Sequence, residues 1–117
     1  MGWTRHCAAV LAASLTMAAA MPMARAAELI AVEHERCSVC LRFDAAVARS
    51  YDRSPQGHAA PLRRVNAAGG LPPYLADIRS VPTFILRDKG REVGRIIGYR
   101  DPVSFYRNVD ALLAADR

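Results

Sequence analysis

The chain has 117 residues, with 16 basic and 11 acidic side chains, a formal charge of +5 and 52% apolar content. That length is expected to hold one small domain behind a leader, with no second domain. The densest basic spot is Arg63-Arg64, and no basic run carries interleaved aromatics, which argues against nucleic-acid binding.

Residues 1–26 are expected to form a cleavable secretory signal peptide. Arg5 and His6 give a short polar start, and Ala8 to Ala20 is apolar but too short to span a bilayer stably. Ala24-Arg25-Ala26 supplies a small-x-small cleavage pattern; the alternative is an uncleaved anchor. Removing 26 of the 117 residues leaves 91, with the charge reduced from +5 to +3 because Arg5 and Arg25 go and no acid does. Trp3, Cys7 and all four methionines go too, so Cys37 and Cys40 are the only thiols of the mature domain, 27–117. Export predicts a compartment where disulfides persist, a bacterial periplasm, and a soluble product.

Leu29-Ile30-Ala31-Val32 reads as a strand buried on both faces. From Cys37 the pattern becomes helical, with Val39, Phe43, Val47 and Tyr51 on one face, until Ser54-Pro55-Gln56-Gly57 breaks it. Leu62 to Val65 is a second strand. The tract from Asn66 to Pro73 is irregular, and Tyr74 to Ile78 forms a short helix at most. Val81 to Leu86 enters a strand, Asp88-Lys89-Gly90 reverses the chain, and Glu92 to Ile97 returns antiparallel. Asp101-Pro102 caps a closing helix whose apolar face holds Val103, Tyr106, Val109 and Leu113, with Phe105 and Leu112 beside them. The order β-α-β-α-β-β-α predicts an α/β domain with a mixed four-stranded sheet flanked by helices.

Cys37-Ser38-Val39-Cys40 falls at the start of the first helix. A bridge closing so short a loop contributes only about 2 kcal/mol by chain entropy, against about 4.7 for a 100-residue loop, which favours a switchable dithiol over a structural staple. Exchange needs a thiolate, and a helix N-terminus favours the anion. Cys37 is therefore the expected attacking thiol and Cys40 the one that closes on the mixed disulfide. Arg36 and Arg42 favour the thiolate, while Glu33 and Glu35 oppose it. Zinc is the usual competitor for a C-x-x-C pair, but no second cysteine pair completes a tetrahedral set. A copper or zinc chaperone using Cys37, Cys40 and His34 is the alternative function, weakened for copper by the absence of mature methionine. Leu41 in place of histidine disfavours haem attachment.

Strand, C-x-x-C at a helix start and a later Val81-Pro82-Thr83 resemble the thioredoxin superfamily. The segments Val32 to Cys40, Ala60 to Val65, Pro82 to Phe84 and Gly90 to Tyr99 resemble its compact periplasmic SoxS-like group, over residues 28 to 115. The resemblance implies a minimal thioredoxin fold and a thiol–disulfide oxidoreductase with no cofactor beyond a redox-active Cys37–Cys40 disulfide. It implies a cis Pro82 packed against the dithiol, with Val81, Pro82 and Thr83 shaping the substrate groove. The expected partners are protein or small-molecule disulfides and thiols, among them a sulfur-oxidation carrier kept reduced. An upstream thiol redox partner in the membrane and a monomeric state are also expected. Departures from thioredoxin proper are Arg36 in place of tryptophan and Ser38-Val39 in place of Gly-Pro. Ala31 occupies the place of the buried acid. Arg36, Ser38, Val39 and Glu33 are therefore the expected tuning residues. Glu33 and Glu35 are candidates to replace that acid, although both are expected as exposed turn charges. Gly94 and Gly98 read as strand irregularities and His58 as exposed.

Overall fold

Alternation of side chains on a central strand sets the architecture. In β1 (Ala27–Glu33), Leu29 and Ala31 point to one sheet face and Ile30 and Val32 to the other, and all four are fully buried. The computed structural model describes Gly2, residues 11–19 and residues 27–117. The expected cleavage tract Ala24–Ala26 and Cys7 lie outside the described residues. Among those described, no helix is long and apolar enough to cross a membrane.

The sheet runs β2-β1-β3-β4. Strand β2 (Leu62–Asn66) pairs parallel with β1, β3 (Thr83–Asp88) pairs antiparallel with β1, and β4 (Arg91–Ile97) pairs antiparallel with β3. Asp88 faces Arg91 across a hairpin in which Lys89 (φ 51°) and Gly90 (φ 76°) both take the left-handed conformation that matches strand twist. The register slips beyond Leu86, leaving Val93 as the extra residue of a bulge. At the next position Leu112 occupies the space a Cβ on Gly94 would need, so the glycine lets the last helix lie close on β4.

Between β1 and β2 the chain forms α1 (Ser38–Phe43), a π-helical turn (Asp44–Ala48), α2 (Arg49–Tyr51) and α3 (Pro55–Ala59). The break at Ser54-Pro55 falls where the sequence puts it, yet a second short helix follows. The Ser54 hydroxyl oxygen accepts the Gly57 N–H at 2.9 Å, and Pro55 suits the first helical position. The Tyr51 hydroxyl donates to the Ala60 carbonyl at 2.8 Å and locks this return.

Helix α4 (Pro102–Ala115) starts at Asp101, whose carboxylate accepts the Ser104 N–H at 2.8 Å. It buries Phe105 and Val109, with Tyr106, Leu112 and Leu113 packed alongside. Val103 departs from the expected face and is 72% exposed, since it lies roughly 120° around the helix from Val109 at 100° per residue. The helices cover one face of the sheet. The other face, Ile30, Val32 and Ile85, is covered by Leu75 with Leu71, Ile78 and Val81. That cover holds two 3-10 turns, Ala67–Gly69 and Pro73–Leu75, and the expected short helix at 74–78 shrinks to the second. Pro73 stands at the first position of that turn, where its fixed φ suits the start.

Phe43, one turn beyond Cys40, anchors α1. Its ring meets Phe84 at 4.7 Å, Phe105 at 5.2 Å and Tyr99 at 5.5 Å between centroids. Such pairs contribute about 0.5–1.5 kcal/mol each beyond their buried area. The short helix that carries Cys40 is thereby fixed against β3, α4 and the chain just beyond β4.

Candidate active site

Cys37 is the N-cap of α1, with extended backbone at φ −101° and ψ 108°. Its amide donates to the His34 carbonyl at 3.1 Å, and its carbonyl accepts the Leu41 N–H at 3.1 Å. Its Sγ accepts the Cys40 N–H at 3.0 Å, so the sulfur stands where an oxygen cap would stand and satisfies a helix-start amide. The two sulfurs are joined in a disulfide with the Cα atoms 5.1 Å apart. Cys37 is half-buried, whereas Cys40 is only 4% exposed. This pair can cycle between disulfide and dithiol, with one sulfur open to a partner and the other shielded.

The Val81-Pro82 peptide is cis, and the Val81 carbonyl oxygen lies 3.7 Å from Cys37 Sγ. Pro82 is fully buried, and its carbonyl accepts the Gly98 N–H at 2.8 Å, which brings the end of β4 to the same place. Thr83 is buried, and its hydroxyl donates to the Ser80 carbonyl at 2.7 Å, so it braces the strand entrance. Arg36 and Ser38 are exposed and Val39 is half-buried. Ile97 and Leu41 stand out as exposed large apolar residues near the dithiol ends of β4 and α1.

Glu33 differs from its expected place as an exposed turn charge. It is 8% exposed, and its carboxylate takes a two-pronged grip from Arg64, Nε at 2.6 Å and Nη2 at 2.9 Å. A buried carboxylate persists only when so paired. Glu35 is exposed as expected. Arg64 also reaches Asp44 at 2.7 Å through Nη1, and this guanidinium holds the Asp44 carboxyl below the usual range. A hollow of about 290 Å³ lies beside this cluster, lined by Glu33, His34, Cys40, Leu41, Asp44 and Arg64 among others. His34 is not brought to the sulfurs as a third ligand. Its Nδ1 accepts the Arg36 N–H at 3.0 Å, and no group of three or more metal-binding side chains occurs among the described residues. His58 is exposed, as expected.

Sequence reading missed the Arg64 cluster and the π turn. The usable signal was the parallel pairing of β1 and β2, which sets Ala31 opposite Arg64 and brings the arginine near the end of β1.

No family model and no curated protein matches the sequence. Solved structures do. The periplasmic thioredoxin SoxS from Paracoccus pantotrophus, in its reduced form, is 31% identical with a TM-score of 0.72, over 78% of this chain and 99% of that one. Trxlp from Edwardsiella tarda is 25% identical with a TM-score of 0.58, over 75% and 82% of the two chains. A Malassezia sympodialis thioredoxin, at 18% identity and a TM-score of 0.61 over 74% and 75%, shares the fold. The sheet order, the C-x-x-C pair at a helix start and these likenesses agree: the chain belongs to the thioredoxin superfamily, in its SoxS-like group, and is a thiol–disulfide oxidoreductase.

Proposed function

We propose that this protein is a periplasmic oxidoreductase, exported by removal of residues 1–26, that keeps partner cysteines reduced. A sulfur-oxidation carrier protein is the expected partner, and a membrane thiol protein the upstream donor. The domain, 27–117, acts as a monomer and needs no cofactor beyond the Cys37–Cys40 pair. One observation carries this reading: Cys37 Sγ, the more open of the two sulfurs, already accepts a helix-start N–H at 3.0 Å. That bond and the aligned peptide dipoles favour negative charge on this sulfur. The likeness to a periplasmic SoxS supports the compartment.

The Cys37 thiolate attacks one sulfur of a partner disulfide. The S–S bond breaks and the first partner thiolate leaves. The Cys40 thiol then loses its proton and attacks Cys37 Sγ, releasing the second partner thiolate and closing the intramolecular disulfide. Two electrons pass from the dithiol to the partner. Val81, Pro82 and Thr83 form the wall along which the partner chain lies, and Arg36, Ser38, Val39 and Glu33 tune the pair.

Trapping tests the assignment. Cys40→Ser should accumulate a mixed disulfide with a periplasmic partner that dithiothreitol releases, and Cys37→Ser should give no adduct and no insulin reduction. Adducts formed by Cys37→Ser but not by Cys40→Ser would overturn the roles.

A further inference from the structure

The segment that carries both cysteines starts at Glu33, the last residue of β1, and reaches the π turn at Asp44. One side chain from another strand holds both ends. Arg64 of β2 donates Nε and Nη2 to Glu33 at 2.6 and 2.9 Å and Nη1 to Asp44 at 2.7 Å. Asp44 also meets Arg49 at 3.3 Å, one turn on.

We propose that Arg64 is a positioning residue of the dithiol: by gripping Glu33 and Asp44 together it fixes α1 relative to β1 and neutralises the carboxylate buried four residues before Cys37. This rests on the exchange reading above and deepens it. Three observations carry it. The Glu33 side chain is largely buried, and a buried charge that loses its partner is left uncompensated. The bracket spans the only stretch of chain that holds C-x-x-C. The helix changes its winding at Asp44, where the π turn begins, and such turns recur at functional sites. Charged groups around the pair are Glu33, His34, Glu35, Asp44 and Arg64 at the hollow, with Arg36 and Arg42 on the flanking chain. Arg49 remains beside Asp44, so removing Arg64 leaves the Glu33 carboxylate as the one that loses its counter-charge.

The test is the pH profile of Cys37 alkylation by iodoacetamide in the reduced protein, with the melting temperature measured in parallel. Arg64→Met should move the midpoint upward by about one pH unit, which is a tenfold lower thiolate fraction well below the midpoint. Glu33→Gln combined with Arg64→Met should recover most of that shift, because no unpaired carboxylate remains. Arg64→Lys keeps the charge but loses the fork and should shift about threefold. An Arg64→Met profile equal to wild type, whatever the melting temperature, overturns the proposal. So does a double variant displaced as far as the single one. Should Arg64→Met not fold, an unchanged Arg64→Lys profile overturns it. Failure of the exchange reading shows separately, as a wild-type protein in which Cys37 is not the faster-alkylating thiol.

Discussion

The sulfur of Cys37 lies 3.7 Å from the carbonyl oxygen of Val81, although 44 positions separate the two residues. The loop before β3 therefore walls one side of the dithiol, while Cys40, inside α1, is buried. Cys37 is thus the more open of the two cysteines, and the Pro82 and Thr83 that follow Val81 are themselves buried. On the proposed exchange, this geometry gives attack to Cys37 and resolution to Cys40.

If the Cys40 N–H stabilises negative charge on Cys37, the reduced protein should titrate unusually. Alkylation of Cys37 should have a midpoint below the ordinary thiol value of about 8.5. Cys40 should react at least tenfold more slowly at neutral pH, an estimate set by its burial. Mass spectrometry after timed iodoacetamide pulses reads both rates. Equal rates would contradict the arrangement.

The Thr83 hydroxyl donates to the Ser80 carbonyl within the loop that meets the dithiol. Thr83→Val keeps the shape and removes the donor, and should cost about 1 kcal/mol. Urea unfolding of the oxidised protein measures it, with the midpoint lower and the slope unchanged.

Tyr51 is fully buried, and burial raises its phenol well above the ordinary value of 10.0. The sign follows from linkage. Below pH 10 the phenol is neutral in both states and its contribution is complete. As pH rises above that, the unfolded chain ionises while the folded one does not, so stability falls. Tyr51→Phe should flatten this alkaline decline and, at neutral pH, lose about 1 kcal/mol with the bond to Ala60. Denaturant midpoints between pH 8 and 11 provide the check.

A Cβ on Gly94 would press on a terminal methyl of Leu112 in α4, so that side chain must shift to admit one. Gly94→Ala should destabilise by about 1–3 kcal/mol through overpacking. Adding Leu112→Ala should make the alanine at position 94 less costly than it is alone. A double-mutant cycle with no coupling would show that α4 does not depend on this contact.

Local signals made much of the molecule legible in the sequence. Apolar alternation marks β1, helical spacing marks α1 and α4, Asp101-Pro102 marks a cap, and Lys89-Gly90 marks a hairpin. Each acts through neighbours a few residues away, so the chain itself carries the information. The dithiol and its place at a helix start are of this kind. Where several local rules competed, packing chose among them. Val103 fits the periodicity of α4 but turns to water, because the sheet accepts the stripe through Phe105 and Val109. The tract at 74–78 keeps only a 3-10 turn, and Leu75, Ile78 and Val81 pack over Ile30 and Ile85.

Tertiary structure alone decided the surroundings of the sulfurs. Whether Glu33 is a solvated turn charge or a buried ion depends on Arg64, and Arg64 reaches it only because β1 and β2 pair in one register. Val81 meets Cys37 for the same kind of reason, through the antiparallel pairing of β1 with β3. The sequence by itself determined which residues can exchange electrons. Strand register, a long-range balance of burial and hydrogen bonding, decided which charges and carbonyls stand beside them.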